Sequence, residues 1–297
     1  MVLTKLRAIA ALALIVPISM KAQETSWPRP RLITHEELQR RLSDPKLRLL
    51  DARTKAEYDE GHIPGAVWVD AKAAQTLAAR PGGLTDRASW EAWSAPLGIS
   101  PQMDVLVYDG KRQLDAARIW WLLRYLGVDR AGLVDGNFPL WQRSGKPVAS
   151  ETASVPPQPL TIAFRADRHA TRDEVLAVLK KGTTHIVDAR SKAEYAGLQK
   201  LSRRAGHIPA ACHLEWVELV DNDGRFLSPD KLRARLGALG IKPGEAVIAH
   251  CQGGGRASVN TFALEHLGVP TRNYYLGWSD WGNTEETPVT TKEGERP

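Results

Sequence analysis

The residues of this 297-residue chain best suited to covalent chemistry lie together in His250-Cys251-Gln252-Gly253-Gly254-Gly255-Arg256-Ala257. A cysteine thiolate is a strong nucleophile, and it is favoured wherever backbone amides and a cation surround the sulfur. Three consecutive glycines let a short backbone curl so that successive N–H groups point at one centre, which makes an anion-binding nest. Cys251 stands at the mouth of that nest, and Arg256 shares its turn. The expected chemistry is nucleophilic attack by Cys251, with developing charge held by the amides of Gln252, Gly253, Gly254, Gly255 and Arg256. A strand-end cysteine that merely packs would call for neither the glycine triplet nor the arginine.

Such a loop needs a strand to deliver it and a helix to receive it. Ala246 to Ala249 is an apolar run that reads as a buried strand. After the loop, Val259, Phe262, Ala263 and Leu267 recur at helical spacing, so a helix is expected over 258–267. Its N-terminus would reinforce the nest.

The same strand-loop-helix plan occurs twice. Leu49-Leu50-Asp51-Ala52-Arg53-Thr54-Lys55-Ala56-Glu57-Tyr58 matches Ile186-Val187-Asp188-Ala189-Arg190-Ser191-Lys192-Ala193-Glu194-Tyr195, and a Gly-His-Ile-Pro turn follows each, at 61–64 and 206–209. Val105 to Asp109 answers Val247 to Cys251, Leu126-Gly127-Val128 answers Leu267-Gly268-Val269, and Trp141 answers Trp281. Short Val/Ile/Leu strands alternate with helical patterns at 34–42, 116–126, 172–180 and 229–239, which predicts an α/β fold with mostly parallel sheets flanked by helices. Thr34 with Glu37, and Thr171 with Glu174, have capping-box spacing. The expected organisation is a first unit over 27–146, a proline-stiffened linker over 147–163, and a second unit over 164–290 with a loose polar tail from Asn283.

These motifs as a set resemble the rhodanese (sulfurtransferase) family, in particular its tandem-domain thiosulfate and mercaptopyruvate types, over nearly all of residues 30–290. A phosphatase loop would need five residues between Cys and Arg, and here there are four. The resemblance implies two rhodanese-like domains and transfer of sulfane sulfur through a Cys251 persulfide. The implied partners are a small anionic donor, thiosulfate first and 3-mercaptopyruvate as the alternative, and a cyanide or thiol acceptor. A non-catalytic sulfur-carrier or interaction module of the same fold is the further alternative. Tandem enzymes tend to place a substrate-binding arginine where this chain has Glu194, a departure that weakens the carry-over of their anion clamp.

The repeat serves as an internal control. Position 109 is Asp where the second copy has Cys251, and a carboxylate carries no transferable sulfur, so the first unit is expected to be catalytically inactive. His62 and His207 recur in both copies and are expected to fix turns; Asp51 and Asp188 are expected to anchor strand ends through loop amides or their own arginines. Arg53 and Arg190 recur too, which suits a structural ion pair, although Arg190 lies in the active copy and is kept as a substrate-binding candidate beside Arg256. Strand alternation sends His250 to the face opposite Cys251. Cys212 answers Val67 and is expected to pack; Trp278 and Trp281 close the cleft or the core.

Composition sets the outer bounds. The chain is 43% hydrophobic and 25% charged, as in globular proteins, and its formal charge of +6 is spread rather than clustered, so a nucleic-acid partner is not expected. No histidine shows metal-ligand spacing, and no metal or cofactor is expected. Lys5 and Arg7, the short apolar stretch Ala8 to Ser19, and Ala22 read as a signal peptide over residues 1–22, which predicts a periplasmic or secreted protein without stable membrane insertion; an uncleaved anchor is the alternative. The two cysteines, Cys212 and Cys251, are expected to remain separate thiols.

Overall fold

The computed structural model describes residues 28–291 except 183 and 243. The expected signal segment lies outside the described residues. The first copy runs β1 (Arg31–Thr34), α1 (His35–Arg41), β2 (Leu47–Asp51), α2 (Lys55–Glu60), β3 (Val67–Trp68), α3 (Ala71–Ala79), α4 (Arg87–Ser94), β4 (Asp104–Tyr108), α5 (Leu114–Tyr125), β5 (Ala131–Asp135) and α6 (Phe138–Arg143). The second runs α7 (Arg172–Lys181), β6 (His185–Asp188), α8 (Lys192–Tyr195), β7 (Cys212–His213), α9 (Pro229–Ala238), β8 (Val247–His250), α10 (Gly255–His266), β9 (Thr271–Tyr274) and α11 (Gly277–Trp281).

Each copy forms its own parallel sheet, in the order β1-β5-β4-β2-β3 and β7-β6-β8-β9. The second copy reduces the partner of its last strand to one bridge, His169 to Asn273, where the first has the full β1–β5 pairing. Every residue of β4 and of β8 is buried, as a parallel sheet covered on both faces requires. Helix starts follow the capping signals: Thr171 and Glu174 bond reciprocally, as do Thr54 with Glu57 and Ser191 with Glu194. At Thr34 only one direction forms, its hydroxyl accepting from Glu37 N at 3.2 Å.

The two copies share a core. Helices α5 and α10 pack on each other, with Trp120 edge-on to Phe262 at 4.9 Å, and one apolar cluster contains Val107 of the first sheet and Val187 of the second. Residues 257–265 of α10 are buried on all sides, so this helix is interior rather than amphipathic.

Two segments of irregular backbone, the linker and the tail, pack against the copies they adjoin. The proline-rich stretch follows the first copy closely: Ala149 pairs with His62, Gln158 N donates to Ala95 O at 2.9 Å, and Leu160 and Ile162 are buried. The tail expected to be loose from Asn283 is tied down as far as residue 291. Arg204 donates to carbonyls of Trp281, Thr284 and Thr287, Thr290 pairs with His207, and the Trp281 indole donates to Pro288 O at 2.8 Å. Polar composition concealed this because the contacts are made by backbone carbonyls, which every residue carries. Trp141 makes the same bond to Pro147 O in the first copy, at 2.7 Å.

Candidate active site

Strand β8 ends at His250, and Cys251 follows at the carboxyl edge of the sheet, where ligands of open α/β sheets bind. The Cys251 side chain packs with Ala189, Ala249 and Ala257, and Trp216 lies against them. The loop carbonyls are drawn away from the sulfur: Trp278 N donates to Cys251 O at 2.7 Å and Ser279 N to Gln252 O at 2.9 Å. Among the described residues the amides of Gln252, Gly253 and Gly254 donate no hydrogen bond, whereas the Gly255 amide, expected to join them, is spent on Gly253 O at 3.1 Å because the turn into α10 closes there. The next amides of the first turn of α10 add that helix's own N-terminal donors. Helix α10 begins at Gly255, three residues earlier than the apolar pattern predicted, so Gly255 and Arg256 belong to its first turn.

The first copy shows what such a loop holds. Asp109 occupies the place of Cys251, and its buried carboxylate fills its own nest. One oxygen accepts from Lys111 N at 2.9 Å and Gln113 N at 3.2 Å; the other accepts from Asp115 N at 3.1 Å and Ala116 N at 3.3 Å. Burial pushes the Asp109 carboxyl up, and these amides oppose the shift. The loop after Cys251 is one residue shorter, three residues before α10 against four between Asp109 and α5, and lacks a built-in carboxylate, so the amides of Gln252, Gly253 and Gly254 are available to a charged group carried on the sulfur.

The glycines of the second loop answer to different neighbours. Gly254 has φ +80° and faces the Tyr275 ring, which a Cβ would meet at 2.3 Å. At Gly255 a Cβ would lie 2.3 Å from Arg118 Nη2, whereas at Gly253 nothing approaches within 4 Å. The Gln252 side chain points to a different element, donating to Ser202 Oγ at 3.1 Å. Ser202 belongs to the segment between α8 and the 206–209 turn, which is much longer than its first-copy counterpart and exposes Leu198 and Leu201.

The two candidate arginines are both engaged. Arg256 forms a two-pronged pair with Glu194, at 2.5 and 2.9 Å, and Glu194 is 3% exposed. Burial works against both charges, yet each holds the other ionised, so Arg256 is raised and Glu194 lowered from their ordinary values. Arg256 therefore lies by the site as half of an ion pair rather than as a free charge partner. Arg190 is 1% exposed, clamped on Asp188 with Nη2 also on Gly206 O at 2.8 Å, and stacked 4.3 Å from Trp278. Its guanidinium as placed is not available for the substrate contact considered above; it supports the loop from beneath, through the tryptophan whose amide holds Cys251 O. Arg53, Asp51 and Phe138 repeat this clamp in the first copy.

The remaining residues fall where the repeat put them. His62 and His207 stack on Tyr58 and Tyr195 and bond their carbonyls at 2.8 and 2.7 Å, which fixes both turns. His250 is wholly buried with Nε2 3.6 Å from Asp188 Oδ2, and burial lowers its pKa to about 4 against the pull of that carboxylate. Cys212 is half-buried on β7, paired with Val187 as Val67 is with Leu50, and is not bonded to Cys251.

A model of the rhodanese-like domain matches residues 34–144 and again 171–284. The chain belongs to the rhodanese family. It is 34% identical over 262 residues to a thiosulfate sulfurtransferase of Azotobacter vinelandii, covering 88% of this chain and 97% of that one. It is 30% identical over 263 residues to a 3-mercaptopyruvate sulfurtransferase of Escherichia coli K12, covering 84% and 93%. The crystal structure of the 3-mercaptopyruvate sulfotransferase SseA from Escherichia coli superposes with a TM-score of 0.71 at 27% identity, covering 84% of this chain and 99% of that one. The sequence-level expectation of two rhodanese domains, each a parallel sheet flanked by helices, is met in both respects.

Reading the rhodanese motifs along the chain missed two groups at the site. Arg118 reaches across from α5 of the first copy, and Tyr275, stacked on Trp121, closes the loop from the side. The available signal was a lone cation within Ala116-Ala117-Arg118-Ile119-Trp120-Trp121, a run otherwise suited to the interior.

Proposed function

We propose that this rhodanese is a sulfurtransferase that moves sulfane sulfur from thiosulfate to cyanide or a thiol through a persulfide on Cys251. The Cys251 thiolate attacks the outer sulfur of thiosulfate, the S–S bond breaks, and sulfite leaves with the electron pair. The acceptor then attacks the terminal sulfur of the persulfide, and the Cys251 thiolate is regenerated. Splitting the transfer into two displacements is the benefit of covalent catalysis. Each well-placed loop amide contributes about 3 kcal/mol to charge stabilisation in comparable anion holes.

The observation that carries this reading is the contrast between the two loops: the Asp109 carboxylate accepts from four amides, while those of Gln252, Gly253 and Gly254 after Cys251 stand open among the described residues. Thiosulfate is taken as the donor and 3-mercaptopyruvate as the alternative; the pairing of Arg256 with Glu194 leaves that arginine no free fork for either anion and so does not separate the two. The N-terminal pattern supports an exported protein cleaved near Ala22.

Intact mass before and after thiosulfate, with sulfite release followed in parallel, tests the reading. One sulfur atom is expected to add to the wild type and leave again with cyanide, and Cys251→Ser is expected to gain none. A gain from mercaptopyruvate alone would change the donor and keep the mechanism. No gain from either would replace the enzyme with a binding module of the same fold. The mass of the exported protein checks the cleavage.

A further inference from the structure

The geometry points to Arg118, contributed by the first copy, as the cation of the Cys251 site: it holds the loop through Gly253 and supplies a positive charge there that no buried carboxylate cancels. This inference rests on the sulfur-transfer reading for its consequence in turnover, but its binding test does not require turnover.

Arg118 lies in the middle of α5 and is 7% exposed. Its Nη1 donates to Gly253 O at 3.0 Å and to the Tyr275 hydroxyl at 3.4 Å. Its Nη2 lies over Gly255, where a Cβ would be 2.3 Å away. The missing side chain at 255 is thus the space that the guanidinium occupies.

The charged and titratable groups packed around the loop decide which cation is left over. Asp188 and Arg190 neutralise each other beneath it, and Glu194 and Arg256 do so beside it. His250, with its pKa lowered by burial, is uncharged near neutral pH, and burial likewise keeps the Tyr275 hydroxyl protonated. Among the described residues Arg118 has only Asp115 as an ion-pair partner, 3.8 Å from Nε and 46% exposed, so solvent screens that pair. A buried guanidinium without a buried counterion is costly unless an anion is its partner for part of the reaction cycle. The repeat control agrees: the fifth residue of α5 is Arg118 and the fifth of α10 is Val259, so the fold itself does not require an arginine there.

Calorimetric binding of thiosulfate to the Cys251→Ser protein, which cannot accept sulfur, tests this in three backgrounds at two salt concentrations. With Arg118 present, binding is expected to weaken as salt rises. Arg118→Gln, which can still donate to Gly253 O, is expected to weaken binding at least about tenfold and to flatten the salt dependence, at an unchanged melting temperature. Arg118→Lys is expected to retain binding within about threefold while slowing sulfur loading when Cys251 is restored, because a lysine lacks the planar fork. Undiminished binding by folded Arg118→Gln would overturn the inference. So would salt-independent binding with Arg118 present, an arm that stands even if the glutamine variant fails to fold. Failure of sulfur transfer is read separately, as absence of mass gain on the parent protein.

Discussion

Asp188 and His250 have no exposed surface and end adjacent strands, so their titration ties stability to pH. The folded-state pKa of His250 is about 4, below the ordinary 6.5, so the unfolded chain takes up the proton first. Stability is then unaffected above pH 6.5 and falls as pH drops from 6.5 toward 4. The loss from this one histidine is about 2 kcal/mol between pH 7.5 and pH 5. His169, also lowered to about 4 by burial, adds to it. The first copy offers a substitute without such a titration, since Tyr108 occupies the equivalent place and its hydroxyl donates to Asp51 at 2.6 Å. Urea midpoints at the two pH values are expected to differ less for His250→Tyr than for the wild type. An equal fall in both would mean that His250 titrates as an ordinary exposed histidine.

At the scale of the element, the loop between β8 and α10 has glycines of unequal importance. Gly254→Ala would force a side chain into a left-handed conformation, at about 1–2 kcal/mol, and into the Tyr275 ring. Gly253→Ala meets nothing. Sulfite release is expected to fall at least about tenfold for Gly254→Ala and no more than a few-fold for Gly253→Ala; similar rates for the two would contradict the placement of Tyr275. In the first copy, Asp109→Ala leaves four amides without their acceptor, two in the loop and two in the first turn of α5. A loss of at least about 2 kcal/mol in urea unfolding is expected, and an unchanged midpoint would show that the nest does not depend on its carboxylate.

Across the whole molecule, the α5–α10 contact makes two sheets into one folding unit. Phe262 of α10 stands against Trp120 of α5 and Phe226 of the second copy, all in one apolar cluster. Phe262→Ala is expected to cost about 3–5 kcal/mol by removing contacts on both sides of the boundary. Calorimetry of the full chain is expected to show one transition, and two resolved transitions would mean that the copies unfold independently. Unity also bears on mechanism, because Arg118 reaches the loop of the second copy only while the two helices remain packed.

The sequence by itself determined the repeat, the parallel α/β class, the helices that follow β4 and β8, and the cysteine loop, because each is written in local spacing: alternation of short strands and helices, a glycine triplet after a strand, one motif used twice. It also ranked the recurring histidines and Arg53 as architectural, and the clamp at Arg53 agrees; Arg190, kept as a substrate-binding candidate, is clamped in the same way. Only the tertiary structure decided how the charges combine. Arg256 and Glu194 lie 62 positions apart, and Arg118 and Gly253 135 apart, so no periodicity could pair them. Which cations are spent in ion pairs depends on distances of a few ångströms across the packed interior, where low dielectric makes each pairing count. The tail after Asn283 was illegible for a related reason: its anchors are main-chain carbonyls, which carry no residue-specific signal.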